Sequence, residues 1–312
     1  MTGDGGDRTG GRLRAAVPRG AGEKVRVFIG SEPKTEIARK VLESSIRRRT
    51  SADVEFTVMI GPRWEYDTKG ITVGTGFSLR RFMIPEYCGW AGRAIYLDSD
   101  QVVFGDILDL WEAADRDPLA GRSTWTTYQK DKYNPTPAPQ TAVMVIDCAA
   151  AQPEGGWHLD RVMALLKGAT RETYARYMHC ETAASRPDAR QWWTAKPPGR
   201  LPTEWNHLNV YEPGKTQLLH YTKEPEQPWY KPDHPYAVLW QQELQVALGR
   251  GEVTAAEVRD ACARFGVKED WRTTNGLHPD YLKFLTKVAP PALPKAQAMR
   301  PGAKPGGQPK RK

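Results

Sequence analysis

Residues 93–100 read Arg93-Ala94-Ile95-Tyr96-Leu97-Asp98-Ser99-Asp100, an apolar, β-favouring run that stops on two carboxylates. Residues two apart on an extended chain point the same way, so Asp98 and Asp100 are expected to leave the strand together. Open α/β sheets bind their ligands at the carboxyl ends of their strands. A pair of carboxylates placed there suits a hard divalent cation that keeps positions free for phosphate oxygens, as a nucleoside diphosphate would supply. The plainer reading is an Asp-x-Asp that merely ends a strand.

Outward from this run the chain alternates between strand and helix signals. Residues 25–29 form a short β-rich run closed by Gly30-Ser31, after which Ile37, Val41 and Ile46 recur at near-helical spacing. A second strand is expected over 54–60, closed by Gly61-Pro62, and a helical stretch from Ser78 to about Tyr87 precedes the central strand. The run Ala142-Val143-Met144-Val145-Ile146 gives a further strand. Strands alternating with helices predict an α/β domain with a largely parallel sheet. Pro and Trp crowd 187–236, which reads as a loop-rich wall of the site. Helices return over 236–248 and 254–265, the latter opening with the capping-box pattern Thr254-Ala255-Ala256-Glu257.

Composition narrows the function classes. The 312 residues carry a formal charge of +8, yet residues 290–312 hold Lys295, Arg300, Lys304, Lys310, Arg311 and Lys312 with no acid, and residues 1–24 hold a smaller basic excess. The body between them is neutral, so charge does not indicate a nucleic-acid-binding fold. Both ends have the composition of disordered tails. For the basic, Pro/Gly-rich C-terminal tail two readings stand: contact with an anionic surface or acceptor, and plain solubility. No apolar run approaches the roughly 20 residues of a membrane span. The Gly/Arg-rich start lacks a signal-peptide core, and the expected location is the cytoplasm. Cys88, Cys148, Cys180 and Cys262 lie far apart without metal-ligand spacing, so reduced thiols are expected rather than a disulfide framework.

The stretch 76–109, GFSLRRFMIPEYCGWAGRAIYLDSDQVVFGDILD, resembles the donor-binding core of glycosyltransferase family 8. Two further segments agree in order: PQTAVMVID (139–147) is similar to the family's strand below the acceptor site, and HYTKEPEQPW (220–229) resembles its HxxGxxKPW motif. The resemblance spans most of 25–235. It implies a single GT-A-type α/β domain, Rossmann-like with a mostly parallel sheet flanked by helices, and a small helical extension over 236–289. It also implies a donor that is a nucleotide-diphosphate sugar, most plausibly UDP-linked, and Mn²⁺ or Mg²⁺ held by Asp98, Asp100 and His220. Gly30, Ser31, Arg81 and Ser99 join the two aspartates as expected donor contacts. Retention at the anomeric carbon follows from the same resemblance.

The departures are specific. The His220-to-Trp229 spacing is one residue longer than in the family motif, its Gly is missing, and Gln227 stands where a diphosphate-neutralising Lys is usual. Lys223 and Lys231 are the substitutes considered. Gln140-Thr141-Ala142 replaces the usual Asn, and no residue stands out as catalytic; Gln140, Glu181, Asp188 and Gln191 are the candidates. Trp205, Asn206 and Trp229 are expected to line the sugar and acceptor site, since an aromatic face beside an amide suits a sugar ring. His179 and His207 are further acceptor candidates. The rival readings are a nucleotidyltransferase, against which the absence of a G-x-x-x-x-G-K-[ST] loop counts, and a sugar-binding protein of the same fold without turnover.

Overall fold

The computed structural model describes residues 24–286 except 68, 72–73, 118–120, 131–135, 153–155, 180–196 and 267–274. Strand β1 (Val25–Gly30) leads into helix α1 (Glu36–Arg47), then β2 (Val54–Val58). The short helix α2 (Ile84–Tyr87) precedes β3 (Arg93–Asp98), and β4 (Gln101–Val103) and α3 (Ile107–Ala113) follow it. Next come β5 (Thr124–Gln129), β6 (Ala138–Asp147), α4 (Cys148–Ala151), α5 (Leu159–Leu166) and α6 (Arg171–Met178). Strands β7 (Gly199–Arg200), β8 (His207–Leu208) and β9 (Leu218–His220) precede α7 (Ala237–Gly249) and α8 (Ala255–Ala263).

The main sheet has the order β2-β1-β3-β6-β5-β7. Its pairings are parallel except those of β6, which runs antiparallel to both β3 and β5. The run at 142–146 is therefore the reversed strand of a mostly parallel α/β sheet. Strand period two splits the core between the two faces. Val25, Val27, Ile29, Ile95, Leu97, Val143 and Val145 pack with α1 and α3, while Phe28, Ala94, Tyr96, Met144 and Ile146 face Phe82, Trp157 and α5. Each fully buried large apolar side chain contributes about 1.5–3 kcal/mol.

The helical stretch expected from Ser78 breaks into a 3₁₀ turn over Arg80–Met83 followed by the single turn of α2. Pro85 is the reason, because it has no N–H to bond back to Arg81 and restarts the helix at its first turn. The expected strand 54–60 stops at Val58. The segment after 196, read as loop-rich wall, contains three short strands. Two of them join β4 in a second sheet of order β4-β9-β8. On its far side α7 and α8 pack against the remaining face of α1 through Ile37, Val41, Trp240, Leu244 and Val258. Glu243 of α7, 2% exposed, is held there by Arg48 and Arg49. Thr254 caps α8 and forms the expected box with Glu257.

A candidate metal and donor site at the carboxyl end of β3

Asp98 is the last residue of β3, and its register partner on β1 is Gly30. The chain bends at Ser99 and enters the second sheet, where Gln101 of β4 lies opposite His220 of β9. The peptide N–H of Tyr221 donates to the carbonyl of Asp100 at 3.0 Å. This antiparallel ladder brings His220 beside a carboxylate 120 residues earlier in the chain. One ligand-capable atom from each of Asp98, Asp100 and His220 lies within 4.8 Å of the others.

Each of the three side chains is braced. The Tyr96 hydroxyl, two residues back on the same face of β3, donates to Asp98 Oδ1. Arg81 adds its Nη2 at 3.4 Å. Gln227 Nε2 donates to Asp100 Oδ2 at 3.0 Å and to the Tyr221 carbonyl at 2.8 Å. Asn206 Nδ2 donates to Thr127 Oγ1 at 3.1 Å, which turns its Oδ1 toward His220 Nδ1 at 3.0 Å. Imidazole Nδ1 must then be the donor, and Nε2 faces Asp100 Oδ1 at 3.1 Å. That buried carboxylate oxygen has no hydrogen-bond donor among the described residues unless Nε2 is protonated. Two lone pairs thus converge on a place that a cation fits, whether a proton or a metal. Nitrogen and carboxylate oxygens with a fixed tautomer form a donor set suited to a divalent ion.

The electrostatics agree. Burial raises the Asp98 carboxyl, outweighing the Arg81 charge, and neighbouring Asp100 pushes the same way. Burial alone would lower the His220 imidazole, yet Asp100 and Asp98 together outweigh it and the net direction is up. Both shifts have a physical source in two carboxylates gathered in a buried place, and a divalent cation is a charge that would balance them.

This sheet, with its strand-end carboxylates, invites comparison with known proteins. No protein-family model matches the chain. Protein CDI of Arabidopsis thaliana is 26% identical over 244 residues, which is 72% of this chain and 89% of the plant protein. The bifunctional glycosyltransferase WbbM superposes with a TM-score of 0.51 at 13% identity, over 72% of this chain and 50% of its own. The glycosyltransferase GlyE from Streptococcus pneumoniae TIGR4 superposes with a TM-score of 0.51 at 15% identity, over 71% and 60%. The fold is that of the GT-A glycosyltransferases. The aligned region spans only half to three-fifths of those two structures.

Within the GT-A frame several expected contacts take different places. Arg81 is 4% exposed, and its Nε donates to the Ser78 carbonyl while Nη1 serves Thr141. It lies over the Tyr96 ring at 4.4 Å and reaches Asp98 Oδ1 at 3.4 Å. The Ser31 and Ser99 hydroxyls are buried and both meet Thr35 Oγ1, at 3.0 and 3.1 Å, and so tie β1 to the bend after β3. Gly30 is required for space: a Cβ there would lie 2.4 Å from Tyr96 Oη and 2.6 Å from Phe77.

Trp205 and Trp229, expected as sugar platforms, are 3% and 2% exposed and fill two apolar clusters. Neither offers a ring face to solvent. Asn206 is fully buried and spends both ends of its amide on His220 and Thr127. Gln140 lies on β6 opposite Thr127, at the β5–β6 register shift, with Nε2 3.4 Å from the Gln129 carbonyl. His179 Nδ1 is 2.9 Å from the Pro139 carbonyl beside it, and His207 pairs with Thr216 at 2.7 Å. Glu181, Asp188 and Gln191 lie outside the described residues, as does the C-terminal tail.

The expected substitutes Lys223 and Lys231 are exposed surface charges. Lys34, which sequence reasoning missed, sits in the 3₁₀ turn Pro33–Thr35 after β1 with its side chain 12% exposed, 3.4 Å from Glu32 and 3.9 Å from Glu224. Glu32 in turn accepts from the Gly76 N–H at 2.8 Å. Burial raises the Glu224 carboxyl to about 7; Lys34 opposes the rise, and the charges of Asp100 and Glu32 reinforce it. Only its place four residues after His220 could have flagged Glu224 in the sequence. No described helix is long and apolar enough to cross a membrane.

Proposed function

We propose that this protein is a metal-dependent glycosyltransferase that moves a sugar from a nucleotide-diphosphate donor, a UDP-sugar, to an acceptor hydroxyl with retention. The observation that carries the reading is the convergence of Asp98, Asp100 and His220 at the strand end of a GT-A fold. It is supported by the pair of Asp100 Oδ1 and His220 Nε2, 3.1 Å apart, which a proton or a metal ion can join.

In this reading Asp98, Asp100 and His220 hold Mn²⁺ or Mg²⁺. When bound, such an ion offsets the negative charge that develops on the leaving diphosphate. The chain supplies the organisation. Tyr96 and Arg81 fix Asp98, Gln227 fixes Asp100, and Asn206 fixes the imidazole tautomer. These donors are set by folding, so little reorganisation remains at the moment of reaction. Lys34 is the cation we assign to the diphosphate, in place of the lysine that Gln227 replaces. Glu224, with its carboxyl raised to about 7, is partly neutral at that pH and repels an anionic donor less than an ordinary glutamate would.

The test is UDP release from UDP-glucose and UDP-galactose with Mn²⁺ or with EDTA, for the wild type and Asp100→Ala. Release should require the ion and vanish in the variant. Metal-independent release that Asp100→Ala leaves intact would overturn the site. Tight UDP-sugar binding by calorimetry with no turnover across an acceptor panel would instead establish a binding protein of this fold. The anomeric configuration of any product, read by NMR, decides retention.

A further inference from the structure

Two thiols outside the proposed site lie together at the amino end of β3, the end away from Asp98. Cys88 caps the carboxyl end of α2, where its N–H bonds to the Ile84 carbonyl, and Cys148 opens α4, where its N–H bonds to the Gly92 carbonyl at 2.9 Å. Between Cys88 and β3 the chain makes a tight return through Gly89, Trp90 and Gly92, all at φ between +55° and +65°. That return folds α2 back over the start of α4, and Cys88 packs against the core cluster that contains Cys148, close enough for the two thiols to perturb each other. They are separated by sixty residues of sequence, which is why no CxxC-like spacing announces them.

The two thiols are unequal. Cys148 is fully buried, whereas Cys88 is partly open to solvent. Arg26 donates to the carbonyls of Arg93 and Ala91, at 2.9 and 2.6 Å, and so fixes a guanidinium beside the return. The neighbouring Cys148 thiol, together with Arg26, pulls the Cys88 thiol below its ordinary range against the opposing effect of burial. That same partnership, with burial, holds the Cys148 proton in place. A partly accessible thiol whose proton is held less tightly than usual and a buried thiol beside it are the two parts of a peroxide-reactive pair.

We propose that Cys88 and Cys148 form a redox-active dithiol, a covalent modification site at which hydrogen peroxide closes an intramolecular disulfide between α2 and α4. The Cys88 thiolate attacks one peroxide oxygen; the O–O bond breaks, the second oxygen leaves as hydroxide, and Cys88 becomes a sulfenic acid. Cys148 sulfur then attacks the sulfenic sulfur; the S–O bond breaks, and the Cys148 proton leaves with that oxygen as water. Overall two thiols are oxidised, one peroxide is reduced, and two waters form once the hydroxide takes up the proton that Cys88 lost. A thiol reductant reverses the bond by exchange.

The test uses the full chain, reduced and desalted, then treated with hydrogen peroxide, alkylated and digested. The expected result is one cross-linked Cys88–Cys148 peptide, a loss of about 2 Da from the intact mass for the two hydrogens removed, and recovery of both thiols with dithiothreitol. Cys148→Ser should stop the reaction at a sulfenic acid on Cys88 that dimedone traps, while Cys262→Ser should leave cross-linking unchanged. If the serine variant does not fold, the wild-type peptide map decides alone. Cys88 and Cys148 both still alkylatable after oxidation, or a bond from Cys88 to Cys180 or Cys262, would refute the proposal.

Discussion

Replacing Glu224 by glutamine removes a titration while keeping the side chain's shape, and the structure sets the size of the effect. The folded carboxyl is raised from its ordinary 4.5 to about 7, chiefly by burial. The folded state therefore binds this proton more tightly than the unfolded chain. Its contribution to stability is fully present below pH 4.5 and is lost as pH rises through 7. At about 1.4 kcal/mol for each pH unit between the two values, the loss is roughly 3 kcal/mol. The side chain is 18% exposed, so solvent screening removes little of it. Urea unfolding followed by tryptophan fluorescence, in EDTA from pH 4.5 to 8.5, should show the two proteins close at the acid end. Glu224→Gln should be more stable by roughly 3 kcal/mol at pH 8. The raised Asp98 and His220 add falls of the same sign to both curves, so the difference between proteins isolates Glu224. Adding Mn²⁺ should shrink that difference, because Asp100 contributes to the shift. Parallel curves with a constant offset across this range would refute the assignment of a buried, raised carboxyl beside Asp100.

Gly30→Ala places a methyl 2.4 Å from Tyr96 Oη. It should cost about 1–3 kcal/mol of stability and loosen the Tyr96 hold on Asp98, read as a lower melting temperature and weaker Mn²⁺ binding by calorimetry. Asn206→Leu removes the acceptor for His220 Nδ1 and should weaken Mn²⁺ affinity about 10- to 100-fold. An unchanged affinity in a folded variant would mean that His220 is not a ligand.

Much of the framework is legible from residue order. The apolar runs that became β1 and β3, the α1 periodicity and the Thr254 capping box all follow from local chemistry acting over a few residues. Strand β5 escaped because its sequence, TWTTYQ, reads as polar. In the structure the Thr126 hydroxyl is satisfied by the carbonyls of Gln140 and Val143, at 2.6 and 2.7 Å, and the residue is fully buried. The tryptophans misled in the opposite sense. An aromatic ring suits a sugar face and a core equally well, and only its neighbours decide between them.

The sequence by itself determined that Asp98 and Asp100 end a buried strand, because alternation and apolarity are local properties of the chain. It could also nominate His220 through motif order. Tertiary structure alone decided what surrounds these three residues. The β4–β9 ladder sets His220 against Asp100, Gln227 becomes a brace instead of a missing lysine, and Lys34 and Glu224 meet across 190 residues. Such partnerships depend on strand register and on which loops share one end of a sheet. Long-range pairing fixes both, and no local pattern encodes them.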